Sequence, residues 1–131
     1  MTERAFDPNC VFCRVVVGDA PAEVWADGIS SLAIVPLNPV VDGHFLVIPK
    51  THVKDAYADP RVTATAMHDA ALWARIRADR DSRFVSVNII TSVGRPATQS
   101  VFHLHIHVVP RVENDGLALP WTGQQEVQVD D

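Results

Sequence analysis

His103-Leu104-His105-Ile106-His107-Val108-Val109 sets an imidazole at every second position, with apolar residues between. Side chains alternate faces along a β-strand. The spacing therefore predicts a strand over residues 101–109, with His103, His105 and His107 on one face and Leu104, Ile106 and Val108 on the other. The apolar set faces a core. The other face carries imidazoles about 6.5 Å apart, from two residues at about 3.3 Å each. Three of the chain's six histidines fall in these five residues, so a merely solvated polar face is the weaker reading. Two chemistries fit. One is a His-x-His metal site. The other is acid–base or nucleophilic chemistry, with imidazoles holding one another in defined tautomers.

Outward from this stretch, the chain reads as strands around one long helix. Glu23 to Ala26 and Ser30 to Val35 flank Asp27-Gly28 and form a hairpin. Residues 36–43 are turn chemistry, with two prolines, Asn38 and Asp42-Gly43. His44 to Pro49 is a strand. Asp59-Pro60 can open a helix, and Arg61 to Asp79 carries its stripe. Val62, Ala66, Ala70, Trp73 and Arg77 recur at helical spacing, and Met67, Ala71, Ala74 and Ile76 widen the stripe. Arg83 to Thr91 reads as another strand, and Ser92 to Thr98 as a loop. Cys10 to Val17 is either a short helix or a buried strand; periodicity does not separate the two at this length. The pattern is that of an α+β domain. At 131 residues without repeats or a long linker it is expected to be one domain, with residues 1–9 a flexible lead-in and 112–131 a C-terminal tail.

Composition narrows the function. A net charge of −5 argues against a duplex-binding surface, which needs clustered Lys and Arg. No apolar run reaches the ~18 residues of a membrane span. The N-terminus lacks the apolar core of a signal peptide. A cytoplasmic protein is expected, with no nucleic-acid or membrane partner. In that reducing compartment, Cys10-x-x-Cys13 is half a zinc site, a redox pair, or two inert thiols.

The seven-residue stretch matches the His-φ-His-φ-His-φ-φ signature (φ apolar) of the histidine triad, or HIT, family of nucleotide hydrolases and transferases. Gln99-Ser100-Val101-Phe102, Pro110-Arg111, Gly43 to Lys50 and Cys10-x-x-Cys13 also resemble that family, so the likeness runs from about Cys10 to Arg111. It implies an α+β HIT-like antiparallel sheet of about five strands, one long helix and a short N-terminal helix. It implies His105 as the nucleophile, with His107 and His103 as further catalytic residues. A neutral imidazole nitrogen attacks phosphorus to give a nucleotidyl-histidine that water then cleaves. The other His105 nitrogen must donate to an acceptor, and a backbone carbonyl near His44 or His103 is expected. His107 would hold a phosphoryl oxygen or help protonate the leaving group.

The resemblance places Gln99 and Ser100 at the phosphate, with Arg95 a weaker candidate. The family's ribose-binding Asp or Asn falls on Pro36, and Asn38 is the substitute expected here. Its other loop polar residue falls on Ser92, and a glycine often found before Gln99 is Thr98. A bacterial subset of the family holds zinc through two cysteines and two histidines. Carried over, the ligands are Cys10, Cys13, His52 and His103, a closed structural site, and no organic cofactor is expected. The substrate is then a purine nucleoside phosphoramidate or a dinucleoside polyphosphate. The resemblance also implies a homodimer, with the segment around Trp121 reaching the partner's site. Two other readings stand beside this one: a catalytic metal on the triad histidines, and a nucleotide-binding regulator without turnover. His68 reads as a helix-surface residue.

Overall fold

Asp27-Gly28 turns the chain back on itself, pairing β1 (Val24–Asp27) antiparallel with β2 (Ser31–Ile34). β3 (Phe45–Pro49) runs antiparallel to β2, from Ser31 opposite Pro49 to Ile34 opposite Leu46. β5 (Ile106–Pro110) lies between β3 and β4 (Val87–Ile90), so the order is β1-β2-β3-β5-β4 with every pair antiparallel. This computed structural model describes residues 4–122.

Every residue of β2 and β3 is buried, because the sheet is covered on both faces. Alternation sorts the side chains. Ala33, Phe45, Val47, Ile106 and Val108 face α2 (Pro60–Ala78), and Leu32, Ile34, Leu46 and Ile48 face α1 (Val11–Val16). α2 presents Ala66, Ala70 and Ala74, spaced by four and all buried. Methyl groups at this spacing let the helix lie close on the sheet. Asp59 caps α2 by accepting from the Arg61 N–H at 3.1 Å, with Pro60 at the first helical position. Phe12, Val15 and Val16 of α1 pack on the other face.

Three sequence expectations are corrected. The final strand spans Ile106–Pro110 rather than residues 101–109. Leu104 N–H donates to the Val53 carbonyl at 2.8 Å, and the Gln99 side chain holds the Val101 carbonyl, so residues 101–105 leave the ladder. The segment read as a strand from Arg83 begins instead as a 3-10 turn, Ser82–Phe84. Asp81 caps it, and Phe84 is turned into the core. On α2, Ala71 and Ile76 are exposed. They lie about 100° round the helix from Ala70 and about 200° from Ala74, off the buried stripe. The hairpin and the strand after Gly43 match their readings, and Cys10 to Val17 resolves as a helix.

Gly43 has no substitute without movement. Its φ is +97°, and an added Cβ would stand 3.1 Å from both Phe84 and Pro110. That close approach sets the start of β3, and with it His44.

Candidate functional site

Four side chains from three separated segments converge beside α1. Cys10 precedes the helix and Cys13 lies within it. His52 follows β3, and His103 lies just before β5. Their donor atoms all fall within 4.8 Å of one another. The Sγ to Nδ1 separations are 3.4 Å for Cys10–His103, 3.4 Å for Cys13–His52 and 3.5 Å for Cys13–His103, and the two Nδ1 atoms are 3.1 Å apart. A tetrahedral ion with metal–sulfur bonds near 2.3 Å and metal–nitrogen bonds near 2.0–2.1 Å has edges of about 3.5 Å and about 3.3 Å between such donors. The donor set therefore fits one tetrahedral cation. His103 is prepared for it. Its Nε2–H donates to the Pro49 carbonyl at 2.8 Å, which leaves Nδ1 as a lone pair aimed at the cluster. Burial holds its pKa down to about 4, so the ring is neutral as a ligand must be. Burial also pushes the Cys13 thiol up, which disfavours a thiolate there unless a cation is present.

His107 faces the opposite side of β5 from Ile106 and Val108, and His105, just before the strand, meets Phe12 of α1. His105 Nδ1–H donates to the His103 carbonyl at 2.8 Å, as expected from the need for a backbone acceptor. Nε2 of His105 is then the unprotonated nitrogen. His107 sits with its ring centroid 5.2 Å from that of His105. A chain of three hydrogen-bond partners sets its tautomer. The Val40 N–H donates to His44 Nδ1 at 3.1 Å, so His44 carries its proton on Nε2. That Nε2–H donates to His107 Nδ1 at 3.0 Å. His107 therefore keeps its own proton on Nε2 and offers a donor beside the His105 lone pair.

Sequence reasoning named neither His44, Phe12 nor Thr91 as functional. Phe12 meets the His103 and His105 rings edge-on at 5.8 and 5.3 Å. Thr91 Oγ1–H donates to the His105 carbonyl at 2.8 Å. The signal for His44 was its place at the mouth of a strand that pairs with the triad strand, where Leu46 lies opposite His107. Phe12 sits between the two cysteines, and nothing in the sequence separates that role from plain core packing.

The loop before the triad is a 3-10 turn, Arg95–Ala97. Gln99, expected at the phosphate, is held by its own loop and its surroundings. Its Oε1 accepts from Gly94 N–H, its amide donates to the Lys54 and Val101 carbonyls, and its backbone N–H goes to the Gly94 carbonyl. Buried and fully engaged, it shapes the loop that carries Ser100, which is exposed. Arg95 and Lys54 lie over the Phe102 ring at 4.9 and 5.8 Å. Asn38 is exposed and makes no side-chain hydrogen bond among the described residues, and Ser92 is half-buried directly after Thr91. His68 is exposed on α2, as read.

Thr98 explains the glycine of the resemblance. Its φ is +78° and ψ +16°, the left-handed region that a β-branched residue occupies only under strain. Releasing roughly 1–2 kcal/mol of strain outweighs the roughly 0.5–1 kcal/mol entropy cost of glycine. Thr98→Gly should raise stability by up to about 1 kcal/mol, read as a higher urea midpoint with unchanged slope. A lower midpoint would contradict the strain.

A HIT-domain family model matches residues 17–114. The chain belongs to the HIT family. The Hit protein of Bacillus subtilis is 36% identical over 116 residues, covering 86% of this chain and 79% of that one. An adenylylsulfatase of Arabidopsis thaliana is 32% identical over 109 residues, covering 83% of this chain and 55% of its own longer one. A zinc-bound histidine triad protein of Mycobacterium smegmatis superposes with a TM-score of 0.78 at 33% identity, covering 94% of this chain and 98% of that one. The HIT family comprises nucleotide-binding proteins of hydrolase type. No helix among the described residues is long and apolar enough to cross a membrane.

The HIT-face imidazoles are neutral near pH 7. Burial, and then the neighbouring His105 and His44, hold His107 down to about 4, and burial lowers His44 and His105. The unfolded chain, with ordinary histidines near ~6.5, binds more protons than the native state between those values. Stability is therefore full above pH ~6.5 and lost as pH falls toward about 4. Urea titrations of wild type and His107→Asn should show a shallower acid slope in the variant; parallel slopes would contradict a depressed His107.

Proposed function

We propose that the chain is a nucleotide hydrolase or transferase working through a covalent nucleotidyl group on His105 Nε2. One observation carries the reading: His105 Nδ1–H is committed to the His103 carbonyl at 2.8 Å, so the nitrogen left without a proton is the one available to attack. Attack on the α-phosphorus forms the phosphorus–nitrogen bond and breaks the bond to the leaving group. Water then breaks the phosphorus–nitrogen bond and releases the nucleoside monophosphate. His107 Nε2–H supports charge on a phosphoryl oxygen. The His44–His107 chain ends on the Val40 amide, which has no proton to spare. This favours a fixed donor over a leaving-group acid for His107. Ser100 on its exposed loop is a second phosphate donor. Phe12, edge-on to the His105 ring at 5.3 Å, is an apolar surface suited to a base, with Asn38 and Ser92 as the substitutes for the ribose contacts. Nucleoside phosphoramidates are the first substrate class and dinucleoside polyphosphates the second.

Zinc is the proposed ion at Cys10, Cys13, His52 and His103. Its part is to tie α1 and the segment after β3 to the triad, with no open position for substrate. A homodimer is part of this reading. β4 is an edge strand, and Val85 beside it is largely exposed, a surface suited to pairing with a second copy. Trp121, at the end of the described chain, is exposed and free to reach such a partner.

The test is mass spectrometry of protein quenched in acid-free conditions during turnover of adenosine phosphoramidate. One adenylyl group on the peptide containing His105 is the expected result. Adduct at another residue, or steady turnover with no adduct at any quench time, would overturn the covalent step.

A further inference from the structure

A cavity of about 230 Å³ opens on the α2 side of the sheet, lined by Trp25, Phe45, Trp73, Arg77, Arg80 and Asp81 among others. Phe45 points to the α2 face, whereas its neighbour Leu46, opposite His107, points to the other. The cavity is thus separated from the triad by the thickness of the sheet. Its chemistry is unlike that of a packing defect. The Arg77 guanidinium lies 3.7 Å from the Trp25 ring centroid. Stacking occupies the face of the guanidinium and leaves its N–H donors free along the edge.

Among the described residues, Arg77 has no hydrogen-bonded or ion-paired acceptor. It is half-buried, and burial lowers its pKa, so its charge is held in the cavity at a cost. Asp81, the carboxylate on the same wall, is already engaged by Arg83 through Nε at 3.0 Å and Nη2 at 2.7 Å. Arg80 adds a second cation without a described partner. Trp73 is fixed by its contact with Gly28, where an added Cβ would meet its ring at 3.0 Å, so the aromatic wall is preformed.

We propose that this cavity binds a small planar ring bearing one anionic group, a carboxylate or a phosphate. The ring lies against Trp25 and Trp73, and the anion takes the free edge of Arg77 with support from Arg80. The volume, below the ~300–1,000 Å³ of sites for drug-sized ligands, limits the occupant to about one ring system.

The experiment follows the indole N–H signals of full-length protein by ¹H–¹⁵N NMR during titration with benzoate, phenyl phosphate and benzyl alcohol. Benzoate and phenyl phosphate should shift the Trp25 and Trp73 signals with saturation and leave Trp121 still. Benzyl alcohol, which keeps the ring and lacks the charge, should not. Arg77→Lys keeps the charge and removes the flat fork, and should weaken binding by about tenfold or more. Arg80→Gln, on the exposed rim, should weaken it less and gives the same information if the Arg77 variant misfolds. Saturable shifts with benzoate alone identify a carboxylate site, and with phenyl phosphate alone a phosphate site. Still Trp25 and Trp73 signals with both anions overturn the proposal. So do equal shifts with benzyl alcohol, or affinity unchanged in both arginine variants.

Discussion

His105→Ala should lose at least about a thousand-fold in AMP release from adenosine phosphoramidate, with the protein folded and its metal content unchanged. Removing a nucleophile ordinarily costs on the order of 10³–10⁶ in turnover, because what remains is only binding and electrostatic stabilisation. The substitution is structurally mild. His105 is partly exposed, and its ring makes one hydrogen bond, to the His103 carbonyl, and an edge contact with Phe12. His107→Ala should be less severe, about 10²–10³, since it removes a donor to the phosphoryl group rather than the attacking atom. His44→Ala should act through His107. Freed of the His44 Nε2–H at 3.0 Å, His107 can take the other tautomer, so kcat falls about tenfold or more while KM moves little. A His105→Ala enzyme retaining more than a tenth of wild-type turnover would sink the covalent mechanism.

Cys13→Ala should release the metal and lower Tm by about 10 °C or more. Cys13 is only 1% exposed, and its Sγ lies within 3.5 Å of both His52 and His103 Nδ1. Without a cation, the cluster keeps only hydrogen bonds among neutral thiols and imidazoles, such as that between the two Nδ1 atoms 3.1 Å apart. Metal-binding free energy that exists only in the folded state is folding free energy. A net loss of roughly 3–5 kcal/mol in a chain of this size gives a Tm change of that order. Elemental analysis should find about one zinc per wild-type chain and a small fraction of that in the variant. Chelator treatment too brief to strip the buried ion should leave turnover unchanged, because a four-coordinate ion offers no open position to substrate. A metal-free wild type as stable as the zinc-loaded one would contradict the structural role. His103 joins the two predictions: its side chain faces the metal cluster and its carbonyl accepts the His105 proton. Apo protein that stays folded should therefore lose kcat more than it gains in KM.

The sequence alone determined the family signature, the α+β architecture and the cysteine half of the metal cluster, whereas His52 and His103 entered as ligands only through the family resemblance. What was directly legible rests on local pattern: alternation in His103 to Val109, the Asp27-Gly28 turn, the Asp59-Pro60 helix start, the Cys-x-x-Cys spacing. The limits of that legibility are physical. Alternation holds for an extended segment whether or not it is hydrogen-bonded into a sheet, so it sorted Leu104, Ile106 and Val108 into the core but did not show that the ladder begins only at Ile106. The hydrogen bond from Leu104 to Val53, distant in sequence, and the hold of the buried Gln99 side chain on Val101 decided that boundary. The same holds at the site. Which nitrogen of His107 carries a proton depends on His44 and the Val40 amide, brought within 3.1 Å by the β3–β5 register. The resemblance placed Gln99 at the phosphate, and only the folded loop shows that each polar atom of its side chain also has a partner within the chain. Residue type determined what each group can do; the tertiary structure decided which partner each one meets, because a tautomer or a buried amide is set by the atom opposite it rather than by its neighbours in the chain.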